Sequence, residues 1–140
     1  MGGSAQFTSA DVALTMRYTI LLHYPEMGAE DLDPETMAEG QRAFNNFASE
    51  MHAADVLHAA EIFAPSSNTV TLSMADGMVN RHDGPFAEPE FKLGGIIVIE
   101  VADQDAAITW ASRAPSLGWG AVEVRPQSVF TRDGVWTPNT

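Results

Sequence analysis

Gly95-Ile96-Ile97-Val98-Ile99-Glu100-Val101-Ala102-Asp103 (residues 95–103) decides the fold, because a strand period and a helix start meet inside nine residues. The β-branched run over 95–101 predicts a strand. Its alternation separates a face of Ile97, Ile99 and Val101 from a face of Ile96, Val98 and Glu100. Asp103 supplies an N-cap, Ala106, Ala107, Trp110 and Ala111 fall on the inner side of the helix that follows, and Pro115 terminates it. Residues 120–126 return as a strand, so this half of the chain reads strand, helix, strand.

The N-terminal half repeats the order. Residues 16–24 are rich in β-formers, and Pro25, Gly28 and the acidic cluster Glu30, Asp31 and Asp33 break the run. Asp33 before Pro34 places a cap and then a proline at the first helical position. Met37, Phe44, Phe47, Ala48 and Met51 recur at helical spacing, which predicts a helix to about Ala54 with one buried face. Residues 56–63 read as a strand, 65–68 as a turn and 69–74 as a β-branched strand, and Asp76-Gly77 is a hairpin signal. Two strand–helix–strand units joined by a hairpin insertion give an α+β fold, a ferredoxin-like sandwich with an antiparallel sheet and both helices on one face. Residues 1–15 are expected as a flexible extension, 16–126 as the domain and 127–140 as a tail without pattern.

Tyr18, Ile20 and Leu22, with Ile97, Ile99, Val101, Val122 and Val124, suit the helix side of that sheet. The opposite face mixes Thr19, Leu21, Ile96 and Val98 with Arg17, His23, Glu100, Glu123 and Arg125. It is too apolar for plain exposure, and a second sheet from a homodimer partner is the economical cover. Arg17 or Arg125 would then pair with Glu100 or Glu123 across the interface. The alternative is a partly wet cavity in which the same groups hold a small-molecule substrate.

Composition limits the remaining choices. The chain has 140 residues, 45% hydrophobic and 19% charged, which fits a single globular domain. Nineteen acidic against seven basic residues give a net charge of −12, which argues against direct nucleic-acid or anionic-lipid binding. Without cysteine there is no thiolate or disulfide chemistry. No apolar run approaches the length of a bilayer span, no secretion signal is apparent at the N-terminus, and a cytoplasmic setting is expected.

One further run has no packing explanation: Asp83-Gly84-Pro85-Phe86-Ala87-Glu88, followed by Leu93-Gly94-Gly95. Pro85 fixes its own φ and restricts Gly84, so Asp83 sits at a stiff corner. Two roles are open to it. Its carboxylate accepts hydrogen bonds from the amides that follow, or it acts at a pocket rim as a base or as the orienting partner of His82 or His23. Phe86 reads as a core anchor or as a pocket wall.

These runs, with Met16-Arg17-Tyr18, the helix from Asp103 to Trp110 and Val122-Glu123-Val124-Arg125-Pro126, resemble the YCII-related, or DGPF-domain, proteins. The resemblance covers roughly residues 16–126 and implies the dimeric α/β-barrel fold. It implies no settled activity: related barrels include isomerases, lyases, cofactor-free oxygenases and sensing modules, and DGPF members often accompany sigma factors. The wider group is associated with acid–base chemistry through a His and Asp pair, its histidine on the first helix, where this chain offers His52 near the helix end. The chain departs from the pattern at Pro89-Glu90-Phe91-Lys92, His82 and His23.

Two functions follow. In the first, a cofactor-independent isomerase or lyase acts on a small organic substrate, with Asp83, His23 or His82 as acid–base groups and Arg17 or Arg125 on a developing enolate. In the second, a non-catalytic dimer binds a small ligand or a regulatory partner. No metal is expected, since no histidine pair has ligand spacing on one helix. No phosphate-cradling glycine loop or nucleophile elbow is present either.

Overall fold

The computed structural model describes residues 14–140. The extension expected for residues 1–15 lies outside the described residues as far as residue 13; Thr15 already bonds into the fold, its Oγ1 donating to Glu100 at 2.5 Å. Strand β1 spans Met16–Tyr24, helix α1 Pro34–Ala53, β2 Leu57–Ile62, β3 Val70–Ala75, β4 Met78–Asp83, β5 Lys92–Val101, helix α2 Gln104–Ala111 and β6 Ala121–Pro126. Two further strands follow, β7 Val129–Arg132 and β8 Val135–Pro138.

The main sheet has the order β2-β5-β1-β6, antiparallel throughout. That is the ferredoxin-like order, with the two helix-containing halves interleaved rather than side by side. Pairs such as Ile20 with Ile97 on one side and Ile20 with Val124 on the other set the register. The predicted helix-facing residues become the core: Ile20, Leu22 and Ile99 are fully buried, and Tyr18, Ile97 and Val101 nearly so. They pack against Phe47 and Met51 of α1 and Ala107 and Ala111 of α2. Each buried isoleucine or leucine stabilises the fold by roughly 1.5–3 kcal/mol relative to an exposed one.

Local signals fix the helix starts. Asp33 accepts from the Thr36 amide at 2.7 Å with Pro34 at the first helical position, and Asp103 accepts from the Ala106 amide at 2.8 Å. Helix α2 ends at Ala111, earlier than Pro115, which instead opens a 3-10 turn over Pro115–Gly118. At Gly95 a Cβ would stand 2.6 Å from the Glu61 carbonyl oxygen, so glycine is what lets β2 close on β5.

The C-terminal segment is a hairpin rather than a patternless tail. Asp133-Gly134 adopts φ of 52° and 79°, matching Asp76-Gly77 at 52° and 75°, and positive φ at both central residues is the geometry that suits right-twisted hairpins. Asn139, which is buried, ties the hairpin down: it accepts from the Arg17 amide at 2.7 Å and donates to the carbonyls of Arg17 at 2.9 Å and Gln127 at 2.7 Å. Phe130 lies against the Arg17 guanidinium, 3.9 Å from ring centroid to Cζ.

Among the described residues the β3–β4 hairpin pairs only with itself, and it leaves Leu72, Met74, Met78 and Val79 exposed. Among the described residues no helix is long and apolar enough to cross a membrane.

Candidate functional site

A cleft of about 640 Å³ opens where the end of β1 meets the start of β5. His23 and Tyr24 enter it from β1, Glu26 and Met27 from the loop beyond, Phe63 to Ser66 from the β2–β3 connection, and Phe91 to Gly94 from the start of β5 and the residue before it. Thr69, Thr71, Pro85, Phe86, Ala87 and Pro89 complete the wall. The size and mostly apolar lining are those of a small-molecule pocket.

The β1–β5 ladder slips here. Leu22 pairs with Gly95 but His23 with Leu93, leaving Gly94 as the extra residue of a bulge. Such a bulge re-aims the neighbouring side chains. A Cβ on Gly94 would run into the Tyr24 ring, so the glycine seats that ring beside the cleft. Tyr24 also meets Trp119 edge-on at 6.2 Å. Burial, reinforced by the charge of Glu26, raises the Tyr24 pKa, so its hydroxyl stays a hydrogen-bond donor at neutral pH.

The corner after β4 is built by Gly84. Its φ of 130° is open to glycine and strained for other residues, and hydrogen bonds clamp it to β3 from both sides. The Gly84 amide donates to the Thr69 carbonyl at 2.8 Å, and Thr71 Oγ1 donates to the Gly84 carbonyl at 2.7 Å. Pro85 and Phe86 are thereby held over the cleft. Phe86 is 88% exposed, so it is a rim residue and not a core anchor.

His23 finds its carboxylate in Glu123, with Nε2 2.6 Å from Oε1. The two lie diagonally across β1 and β6, where His23 pairs with Ala121 and Leu21 with Glu123. Asp83 is elsewhere: exposed at the end of β4, it accepts from Arg81 Nε at 2.9 Å and is not part of the cleft wall. His82 is exposed on the same strand, opposite Thr71. His23 and Asp83 are therefore not brought together.

The other expected ligand-holding residues also lie off the cleft. Arg125 is exposed opposite Thr19. Arg17 pairs with Glu100 at 3.6 Å within one chain. Glu100 accepts from Thr15 and from His58 Nε2 at 2.8 Å, and Arg132 stands 3.9 Å away. The Thr15 hydrogen bond, then His58 and Arg17, hold the Glu100 carboxyl below its ordinary pKa.

Sequence reasoning missed Glu26, Ser66 and Lys92. Glu26 Oε2 accepts from the Ser66 amide at 2.7 Å and Oε1 from Ser66 Oγ at 2.6 Å. Lys92 Nζ donates to Ser66 Oγ at 3.3 Å and lies 3.7 Å from Glu26. The Ser66 hydroxyl first, then its amide, pull the Glu26 pKa down, with Lys92 adding to the effect. Residues 40 and 26 positions apart gave no motif; the departure at Phe91-Lys92 was the available signal. Among the described residues no group of three or more histidine, cysteine, aspartate or glutamate side chains is placed to hold a metal ion.

No curated protein matches the chain. A family model of the YCII-related domain matches residues 16–131, which takes in the main sheet, both helices and the cleft. On that match, the chain belongs to the YCII-related domain family.

Proposed function

We propose that the protein binds a small, largely apolar organic molecule in the cleft and moves a proton on it through His23, as a cofactor-independent isomerase or lyase. The observation that supports this is the 2.6 Å contact between His23 and Glu123, with His23 in the cleft wall. With Nε2 engaged by the carboxylate, Nδ1 is the nitrogen left for the substrate. Glu123 fixes the tautomer and stabilises the imidazolium formed when that nitrogen takes a proton. The role assigned in the sequence to Asp83 passes to Glu123.

The test is proton exchange. A panel of small keto acids in D₂O, followed by NMR for deuterium uptake beside the carbonyl, should reveal at least one that exchanges faster with protein. His23→Gln should lower that rate by about 10²–10⁴-fold, the usual contribution of a general base. An unchanged rate in His23→Gln refutes the assignment.

A second reading is a binding or accessory module, favoured by the exposed apolar side chains of the β3–β4 hairpin. An isolated two-stranded hairpin is marginal in water, so a covering partner would stabilise it. We propose a second copy of the chain as that partner, with the open sheet face carrying Leu21, Ile96 and Val98 as the remainder of the interface. Sedimentation at micromolar concentration tests this. A ligand retained without any exchange activity would favour the module over the enzyme.

A further inference from the structure

We infer that the molecule taken by the cleft is an organic anion, an aromatic or branched aliphatic body bearing one carboxylate or enolate oxygen, with that oxygen seated on Lys92. This rests on the cleft being the binding site, and it names the class of ligand. Lys92 is the only lysine in a chain of net charge −12, and it lines the apolar cleft instead of the open surface.

The neighbours of Lys92 leave it able to bind. Glu26 is the nearest countercharge: it pairs with Lys92 as an ion pair, but at 3.7 Å from Nζ it is too far for a direct hydrogen bond. Ser66 Oγ, at 3.3 Å, accepts a long bond. An ammonium has three protons, so at least one remains for a ligand. Phe63, Phe91 and Leu93 supply apolar walls, and Phe86 stands at the rim, which fits a hydrophobic body. A carboxylate would accept that proton in a charge-assisted hydrogen bond that a neutral apolar ligand could not make, a difference of the kind that gives polar sites their selectivity.

Arg17 is excluded from this role by its place against Glu100 and Phe130, away from the cleft wall. Arg125, exposed on β6, is likewise absent from the wall.

The sole lysine also makes the test clean, since lysine-selective ¹⁵N labelling gives one side-chain signal. The full chain is titrated with 3-phenylpropionate and with its neutral isostere 3-phenylpropanamide, following the Lys92 signal and backbone signals of Phe91 and Gly94. The expected result is at least tenfold tighter binding of the propionate with a shift of the Lys92 signal. Lys92→Met should abolish that preference while still taking up the amide, and Lys92→Arg should keep it. Equal binding of both probes with an unmoved Lys92 signal overturns the inference and leaves the cleft reading standing. Binding of neither probe overturns both.

Discussion

Replacing Glu100 with glutamine is the sharpest test of the open sheet face. Arg17 and Glu100 are 15% and 25% exposed, 3.6 Å apart. Unit charges at that distance attract by about 4.6 kcal/mol at an effective dielectric of 20 and by about 1.2 kcal/mol in bulk water. Partial burial places the pair between these limits. Glutamine keeps an acceptor for Thr15 or His58 but leaves the Arg17 guanidinium with Phe130 and no facing charge. We expect a loss of about 2–3 kcal/mol at pH 7, below the 3–5 of a fully buried pair that loses one partner. The sign with pH is fixed by the direction of the shift. Glu100 has a folded pKa below its ordinary value of 4.5, so its contribution is full above that value and disappears as pH falls through the lowered one. Urea unfolding of wild type and Glu100→Gln at pH 7, 5 and 3 should therefore give curves that differ at the first two and converge towards the third. Equal stability at pH 7, or a difference that persists undiminished into acid, would refute the reasoning.

Ile99→Ala removes a fully buried side chain from the central strand and should cost about 2–5 kcal/mol, read as a lower urea midpoint with an unchanged slope. Gly95→Ala drives a methyl towards the Glu61 carbonyl and should cost about 1–3 kcal/mol, with hydrogen exchange accelerated in β2 but not in β6. Asn139→Ala strips three hydrogen bonds that join the start of β1 to Gln127 and leaves buried groups without partners. It should cost about 1–3 kcal/mol or more and release β7 and β8 to rapid amide exchange. Glu123→Gln should slow any His23-dependent proton exchange without changing ligand affinity, measured by the same deuterium uptake.

The fold was legible because two chemically distinct periods are written into it. Ile97, Ile99 and Val101 alternate with Ile96, Val98 and Glu100, and Asp33-Pro34 and Asp103 mark helix starts that need only local backbone to work. The C-terminal hairpin escaped notice since its strands are four residues long, although Asp133-Gly134 between Val129–Arg132 and Val135–Pro138 carries the same turn chemistry as Asp76-Gly77. The site was less legible. His23 was visible as an unusual strand residue, but its partner depends on the β1–β6 register, which no local pattern encodes. Asp83 drew attention as part of a rare motif, yet Arg81, two residues back on the same strand, lies on the same face and claims it. Pro85, Phe86 and Ala87 are the members of that run that reach the cleft. Glu26, Ser66 and Lys92 are joined only when two loops close on the start of β5.

The interleaved strand order also bears on how the chain is made. β1 ends as the inner neighbour of both β5 and β6, yet its Ile20, Leu21 and Leu22 leave the ribosome roughly 75 residues before their partners in β5. At synthesis rates of about 5–20 residues per second, Ile20, Leu21 and Leu22 wait on the order of 4–15 s for their first sheet partner. During that interval the nascent strand is an uncovered apolar ribbon with free amides on both edges. Slowing translation between β2 and β5 should lengthen its engagement with ribosome-associated chaperones, whereas a circular permutant beginning at β5 would shorten it.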